Sequence, residues 1–418
     1  MDWVAALSIV LLIVAIALGF LKGMNTGVVA MAFALIASVA CNIADGEIRA
    51  GFPTNMFLIL FGTMFLFGIV QKTGTMHLLA RKVIAAVGNQ SWALPWAVFF
   101  LAMVVSATGA GPAPAIAIVS LPAMALAVEL GVSPFLFGVM VCMGADGGAA
   151  SPISTAGLVA QGLVENFGWR AIQPTYFINS IMGHIIVGLA CYLLLRGWKV
   201  KPTGVIDKTS IPKFDRNQIV TLCGVLVFVI LGIFFSDHNI GLIALFVGLV
   251  LIFLNVGYAD KDIIKDMSWN TLLLICGVSL LMNVVVITGG IDYIVNFLSS
   301  FMNEYTAKPV MALSAGIMSW FSTTTSVVMP TLIPTIPGIL ENIGEVVDPV
   351  TLMSALTNGS FSAAISPLSA GGGIVLATYT QLTGCDEAEQ SKMFKRLFAI
   401  AVFCVLIMVI VAATPLYR

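Results

Sequence analysis

Long apolar runs recur along the whole 418-residue chain, and they constrain its fold more than any other feature. Twenty residues of α-helix span roughly 30 Å, which is the thickness of the hydrocarbon core of a bilayer. Because lipid offers the backbone no hydrogen bonds, such runs predict transmembrane helices. Apolar residues make up 59% of the chain and charged residues 9%, which excludes a water-soluble enzyme, and a net charge of −1 excludes a basic nucleic-acid-binding surface. We therefore predict an all-α polytopic membrane protein that lies in a lipid bilayer and binds no nucleic acid.

The chain is doubled at an offset of about 215 residues. The segment Asn55–Gly74 aligns with Asn270–Gly289, and the two share the first Asn, an inner Gly and the closing Thr-Gly. Further along, Ser151–Ser154 (Ser-Pro-Ile-Ser) aligns with Ser366–Ser369 (Ser-Pro-Leu-Ser). Leu-rich runs resemble one another by chance, but matched Pro, Gly and Ser positions argue against a chance likeness. The sequence therefore predicts two structural repeats.

Each repeat is predicted to contain five transmembrane helices and one re-entrant helical hairpin. Thr108–Pro114 and Thr323–Ser326 interrupt the two hairpins with Gly, Pro, Ser and Thr, which leave helical backbone groups unpaired or compete for them. A hairpin enters and leaves on one side, so each repeat makes an odd number of crossings and the second repeat is inverted. The predicted boundaries are the repeats 1–196 and 218–418, the linker 197–217, the hairpins 93–127 and 309–339, the broken helices 134–161 and 349–380, and the other spans 3–21, 26–43, 55–70, 175–195, 218–236, 239–257, 269–287 and 396–414.

The placement of Lys and Arg tests this topology. Fifteen of the 19 fall on one predicted face, and only Arg49, Arg170, Lys308 and Arg418 fall on the other. Because cytoplasmic loops are enriched in Lys and Arg, the first face is predicted to be cytoplasmic and both termini to lie outside the cytoplasm. We predict a multi-pass protein of the cell inner (plasma) membrane.

The four interruptions predict a binding site. Irregular backbone at membrane depth is tolerated only where it is buried in protein or lines a cavity. Each break creates helix N-termini that attract anions and C-terminal carbonyls that suit a small cation such as sodium. Gly/Pro-interrupted segments at matching positions of two halves are typical of secondary transporters. An alternative interpretation is that these small residues only allow close helix packing.

No Lys or Arg falls in the interior of a predicted span, since Arg396 stands at the first position of its span, and Asp146 is the only acid well inside one. An anionic substrate must then be bound by helix dipoles, hydroxyl groups and co-bound cations, which favours a cation-coupled carrier over an anion pore. Asp146 is a candidate sodium ligand or proton carrier, or else a cap for nearby backbone N–H groups. Its repeat mate is Phe361, so the two repeats would not form equal cation sites. The hydroxyls at the hairpin tips either bind substrate or only cap the hairpin helices.

The chain contains no Walker loop, GxSxG elbow or HExxH motif. An ATP-driven pump and a membrane hydrolase therefore find no support, and we expect no enzyme.

The hairpin tips carry Ser106–Thr108 (Ser-Ala-Thr) and Ser322–Thr324 (Ser-Thr-Thr), where the divalent anion/sodium symporters carry Ser-Asn-Thr. The stretch Gly147–Thr155 is similar to the glycine-rich break that leads to Thr-Pro-Pro-Asn in that family. The chain thus resembles the ion transporter superfamily, and within it most of all the MatC-type dicarboxylate carriers. The likeness in architecture covers essentially the whole chain, while the motif matches are confined to the four breaks. The chain departs from the motifs at Ala107 and Thr323, which replace Asn, and at both positions of Thr-Pro-Pro-Asn.

The resemblance implies a homodimer in which the first three spans of each repeat form a scaffold and the hairpins with the last two spans form a moving transport domain. It also implies sodium as the coupling ion, no organic cofactor, and binding residues at the four breaks. The expected substrate-binding residues are Ser106, Ala107, Thr108, Gly109, Ser154, Thr155, Ser322, Thr323, Thr324 and Ser369. The expected sodium ligands are Ser106, Asp146, Gly147, Ser322, Asn358, Ser360 and Ser362.

The leading hypothesis is sodium-coupled symport of a small dicarboxylate, a C3–C4 diacid, by an elevator-type mechanism. One alternative is a sodium/proton antiporter with Asp146 as the exchanging carboxylate, and another is a transporter of a different small anion. A channel would instead show flux that is not coupled to another ion. A receptor would bind its ligand without transporting it.

Overall fold

The apolar runs fold into α-helices, as predicted, and no strand occurs in the described part of the chain. The computed structural model describes residues 3–22, 24–75, 78–79, 82, 92–165, 167–169, 172–199, 212–235, 238–256, 259–267, 269–320, 322–344 and 346–417.

The first half of the chain contains apolar helices followed by an interrupted pair and a broken pair. The helices are α1 (Trp3–Lys22), α2 (Thr26–Cys41), the short α3 (Asp45–Ala50), α4 (Thr54–Lys72), α5 (Leu94–Val105), α6 (Pro112–Glu129), α7 (Pro134–Gly148), α8 (Thr155–Glu165) and α9 (Thr175–Leu194). Helices α5 and α6 occupy the first predicted hairpin, and α7 and α8 occupy the first predicted broken helix.

The second half repeats this order. The helices are α10 (Arg216–Phe234), α11 (Ile240–Phe253), the short α12 (Asp260–Asp266), α13 (Trp269–Ile287), α14 (Gly290–Ser299), α15 (Ala307–Ser319), α16 (Met329–Leu332), α17 (Ile336–Asn342), α18 (Pro349–Ser362), α19 (Ala370–Thr383) and α20 (Glu387–Ala413). Helices α15 to α17 occupy the second predicted hairpin, and α18 and α19 the second predicted broken helix. Much of the predicted linker, residues 200–211, lies outside the described residues.

The first hairpin turns through two glycines. Ser106–Ala110 is wound as a π-helix, and Gly109 (φ 117°) and Gly111 (φ 81°) then adopt left-handed backbone conformations that only glycine accepts readily. Pro112 begins α6, where its missing N–H costs no helical hydrogen bond. In the second hairpin a π-helical turn at Thr324–Val328 leads instead directly into α16.

The helices pack in two groups. In one group, here called the α4/α13 group, α2 packs on α13 and α11 packs on α4. Both crossings need glycine, because a Cβ at Gly277 would overlap the carbonyl of Gly27, and a Cβ at Gly62 would overlap that of Gly241. Gly62 and Gly277 are repeat mates in the sequence alignment, so a glycine at the same aligned position allows the close helix contact at both crossings.

The second group, here called the hairpin group, contains the two hairpins, the two broken helices, α9 and α20. Helix α5 packs on α7 and α15 packs on α18, while α9 lies against both α7 and α18. A Cβ at Gly144 or at Gly359 would overlap backbone of the facing hairpin helix, so these repeat mates allow the close approach. The largest cluster of buried apolar side chains spans both groups, and α4 contributes Phe65 and Leu66 to it.

In the described part of the chain, three helices are long and apolar enough to cross a membrane alone. Two further candidates arise if each of two bent helix pairs counts as one span, and the α13–α14 pair bends by 88°. Shorter apolar helices of 10–17 residues lie between them. The chain is therefore a multi-pass helical membrane protein.

Candidate substrate cavity between the hairpins

A cavity of about 180 Å³ lies where the two hairpins and the two broken helices meet. Leu60 and Met64 of α4 and Ile275 of α13 close one side of it. The other lining residues are Ala110, Pro112, Ala113, Pro114, Ile116, Asp146, Thr155, Thr323, Thr324, Thr325, Ser326, Phe361, Ala364, Ser369, Ala370 and Gly371.

Four helix starts face this cavity. Helix α6 begins at Pro112 and α19 begins at Ala370, and neither is preceded by a side-chain cap. Thr155 begins α8, and Thr324 begins the π-helical turn of the second hairpin. The first N–H groups of a helix have no partner within it and carry partial positive charge, although Pro112 and Pro114 have no N–H and Gly157 N already donates within its break. The cavity is therefore suited to an anion without a basic side chain.

Asp146 places a carboxylate in the same cavity. It is 1% exposed, its Oδ2 accepts a hydrogen bond from Cys142 Sγ at 3.6 Å, and its Oδ1 has no hydrogen-bond partner. No Lys or Arg stands among the described residues that line the cavity. A buried carboxylate is unfavourable without a positive partner, so an anion can share this space only if a proton or another cation neutralises the carboxylate.

The tip of the second hairpin contributes hydroxyl groups. Thr324 Oγ1 accepts a hydrogen bond from Ser360 Oγ at 2.8 Å and lies 3.2 Å from Ser319 Oγ. Thr323 Oγ1 is buried and has no partner. These contacts hold the Thr324 side chain between the hairpin and α18 and leave Thr323 able to bind a ligand.

Matching hydrogen bonds fasten each break to its hairpin. Ser151 Oγ donates to the carbonyl of Ala107 at 2.7 Å, and its repeat mate Ser366 donates to the carbonyl of Trp320 at 2.8 Å. Within the breaks, Gly157 N donates to the Ala149 carbonyl at 3.0 Å, and the same bond recurs 215 positions later, from 372 to 364, at 2.9 Å. The irregular backbone in each half is thus satisfied by the same local bonds.

Five of the residues predicted for the site line the cavity: Asp146, Thr155, Thr323, Thr324 and Ser369. The other predicted residues lie outside its lining, and they are Ser106, Ala107, Thr108, Gly109, Gly147, Ser154, Ser322, Asn358, Ser360 and Ser362. The first hairpin instead reaches the cavity with the residues from Ala110 to Pro114.

Apart from that of Ser360, which donates to Thr324 Oγ1, the predicted hydroxyls outside the cavity fall into two kinds. Those of Ser106, Ser154 and Ser362 are buried without a hydrogen-bond partner. Those of Thr108 and Ser322 donate to carbonyls of the preceding helical turn, at 3.0 and 2.8 Å. Only the first kind has a free hydrogen to donate to an anion, whereas the oxygen lone pairs of both kinds can coordinate a cation.

The two remaining predicted sodium ligands have other neighbours. Asn358 Nδ2 donates to the carbonyl of Asn179 at 3.3 Å and to the hydroxyl of Tyr417 at 2.9 Å, while its Oδ1 has no partner. Gly147 packs beside Met103 and His184. In the described part of the chain, no cluster of three or more His, Cys, Asp or Glu could hold a metal ion, so a cation here would depend on hydroxyl and carbonyl oxygens around Asp146.

Sequence reasoning missed the apolar part of the lining. Leu60, Met64 and Ile275 come from α4 and α13, whose uninterrupted apolar sequences give no sign of a site. Phe361 is different, because its position as repeat mate of Asp146 marks it in the alignment.

Comparison with known protein families gives a match that covers the first hairpin and part of the cavity lining. Residues 4–149 match the family model described as the N-terminus of the dicarboxylate carrier protein MatC. The predicted resemblance to the MatC-type carriers is confirmed over these residues, which include the first hairpin and Asp146. No individual characterised protein matches the sequence significantly.

Among solved structures, the fold is similar to the crystal structure of the YdaH transporter from Alcanivorax borkumensis, which is described as having an unusual topology. The TM-score is 0.59 at 13% sequence identity, over 89% of this chain and 88% of that chain. At this identity the likeness shows the fold alone. The match to a carrier family over residues 4–149 points to a transporter.

Proposed function

We propose that the chain is a sodium-coupled carrier of a small dicarboxylate, a C3–C4 diacid. The observation that carries this proposal is the composition of the cavity, where helix N-termini face a buried, cation-free carboxylate. The helix ends attract an anion, while Asp146 repels it unless a cation is bound. Binding of the anion and of the cation is then coupled. The family match to dicarboxylate carriers supports a diacid as the anion.

Sodium as the cation is supported by the oxygen atoms near the breaks. Asp146 Oδ1 and the hydroxyls of Ser106, Ser154 and Ser362 are buried and have no hydrogen-bond partner. Unpartnered buried oxygens are costly unless they find a ligand, and unwound helix segments in transporters offer such oxygens to sodium. These four residues are the ligands that we favour.

An elevator-type mechanism with inverted repeats is supported by the division into two helix groups. The hairpin group holds both breaks, and the α4/α13 group contributes only Leu60, Met64 and Ile275 to the cavity. An apolar wall of this kind allows the hairpin group to slide with its ligands, since no polar bond from the wall to the substrate must break. The matching bonds of Ser151 and Ser366 support the repeat.

The placement of the molecule in the membrane follows from the Lys and Arg bias. It supports a plasma-membrane protein with both termini outside the cytoplasm. The resemblance to the divalent anion/sodium symporters also supports a homodimer.

A second candidate function is sodium/proton antiport, and the unpartnered Oδ1 of Asp146 favours it, because the same carboxylate could hold either cation in turn. Antiport requires no organic anion. Protein in sealed vesicles would then dissipate a proton gradient when sodium alone is added, whereas a symporter would need the diacid as well. A carrier of another small anion would show the sodium dependence with a different ligand.

A thermal-shift screen of purified protein tests the symport proposal. Succinate, malate and malonate should raise the melting temperature in sodium and have little effect in choline, because a ligand stabilises only the state that binds it. A shift of equal size in the two salts would contradict coupling. A shift with sulfate or phosphate but with none of the diacids would favour another anion.

A further inference from the structure

Among the described residues, a further space adjoins the cavity toward one end of the molecule. This second space has a volume of about 70 Å³ and shares Met64, Ala110, Pro114 and Thr155 with the lining of the cavity. This second space extends to Gln71 and Asp266, beside the ion pair of Lys72 with Asp266. We call this side the Lys72 end.

At the opposite end a larger space of about 450 Å³ is lined by Asn55, Glu165, Ser279, Asn283 and Pro330 among others. It shares no lining residue with the central cavity. We call this side the Glu165 end. In the described part of the chain, the lining of the site is therefore continuous with the space at the Lys72 end and shares no residue with the space at the Glu165 end.

The packing of the two helix groups shows the same asymmetry. Helix α8, which runs from the cavity to the Glu165 end, packs on α4, and α16 packs on α13. Helix α19 is the repeat mate of α8, and its main contacts are with α6 and α7 inside the hairpin group.

A chain of hydrogen bonds links helices of the two groups at the Glu165 end. Asn239 Nδ2 donates to Asn55 Oδ1 at 2.6 Å, and Asn55 Nδ2 donates to Glu165 Oε2 at 3.2 Å. Asn239 is itself held in place, because its Oδ1 accepts from Gly241 N at 2.8 Å and so caps α11. The chain therefore joins α11 and α4 to the last residue of α8, whose first residue, Thr155, lines the cavity.

The other repeat has a different contact at the equivalent position. The repeat mate of Glu165 is Thr380, and its hydroxyl donates to the carbonyl of Leu376 within its own helix, at 3.0 Å. A threonine at position 380 cannot replace the carboxylate of Glu165, so a bond that depends on this carboxylate stabilises one end state over the other.

We propose that Asn239, Asn55 and Glu165 form a latch that holds the site open to the Lys72 end and must release each time the site turns to the Glu165 end. This proposal rests on the elevator motion of the proposed function. By the Lys and Arg bias, the Lys72 end is cytoplasmic. The latch therefore favours the inward-facing state. It must break in the step that turns the site, empty or loaded, toward the outside.

Two substitutions of Asn55 test the latch, one by removing its bonds and one by adding a repulsion. Asn55→Ala removes both bonds, and Asn55→Asp replaces the donor to Glu165 with a second carboxylate, which repels it. A net hydrogen bond corresponds to roughly a two- to twelvefold change in an equilibrium constant. Glu165→Gln keeps the shape and loses the charge, so its effect should be the smallest. Matched controls are Glu129→Gln, at the exposed end of α6, and Thr54→Ala, beside Asn55.

The readout is cysteine labelling in lipid nanodiscs, where both ends of the molecule are accessible. In a background without native cysteines, Ser279→Cys reports the Glu165 end and Gln71→Cys reports the Lys72 end. The latch variants should raise the rate of maleimide labelling at position 279 relative to position 71 by about two- to twelvefold. The controls should leave this ratio unchanged.

An unchanged ratio in folded Asn55→Ala and Asn55→Asp protein would overturn the proposal, and so would an equal change in the controls. If both Asn55 variants fail to fold, Glu165→Ala decides, because it removes one exposed side chain and with it the acceptor of the bond from Asn55. The labelling needs neither diacid nor sodium, so a wrong substrate or coupling ion would leave the result intact. The latch and the symport proposal can therefore fail separately.

Discussion

Replacement of Asp146 by Asn should release substrate binding from its dependence on sodium. The substitution keeps the shape of the side chain and removes its charge. Asp146 Oδ1 is unpartnered and Oδ2 is held only by Cys142 Sγ, so no described cation neutralises the carboxylate. Under the proposed function, a bound sodium ion supplies the positive charge that lets a diacid enter beside this carboxylate.

The size of the effect follows from the cavity. A sphere of 180 Å³ is about 7 Å across, and two unit charges at that distance repel by about 2.4 kcal/mol at an effective dielectric constant near 20. This energy corresponds to roughly a sixtyfold loss of affinity. Native protein should therefore bind a diacid about sixtyfold more weakly in choline than in sodium by this term alone.

Calorimetric titration of succinate into purified protein measures this ratio directly. We expect Asp146→Asn to show a much smaller ratio between the two salts. Cys142→Ala is the matched control, since it removes the thiol hydrogen bond but keeps the charge and should retain the native ratio. An Asp146→Asn protein that folds and retains the native sodium dependence would refute the reasoning.

Three further substitutions have defined outcomes. Thr324→Ala removes a hydroxyl that lines the cavity, and it should weaken diacid binding about ten- to hundredfold in titrations at saturating sodium. Thr108→Ala should change that affinity by less than about threefold, because its hydroxyl bonds to its own helix, and an equal loss in both variants would favour a composite site from both tips. Gly109→Ala should lower the melting temperature, because φ is 117° and the new Cβ would overlap the Phe67 ring; adding Phe67→Ala should restore part of the loss if the overlap is the cause.

The all-α fold could be predicted because membrane helices are specified locally. A run of apolar residues must become a helix in lipid, and a cluster of Gly and Pro must interrupt it. The first hairpin ends at Glu129, two residues past its predicted boundary, and α20 begins at Glu387, nine residues before the predicted span, because its first turns are polar and capped by Asp386. The short α3, α12 and α14 were not predicted, since they are too short or too polar to cross a bilayer.

The candidate site could be predicted only in part. The breaks are visible in the sequence, but the direction of each hydroxyl depends on the turn that carries it. The first hairpin winds its Ser-Ala-Thr into a π-helix and turns through Gly109 and Gly111, so Thr108 bonds to its own helix and Pro112 faces the cavity. In the second hairpin the turn begins at Thr324, which places that side chain in the cavity. Aligned motifs in the two repeats therefore take different positions.

Uptake into proteoliposomes tests the central claim most directly. Purified protein is reconstituted, a sodium gradient is imposed, and radiolabelled succinate, malate or malonate is added outside. We predict uptake above the equilibrium level for at least one of these diacids, and its loss when choline replaces sodium. Uptake of equal size with choline and without any effect of pH would contradict a cation-coupled dicarboxylate carrier.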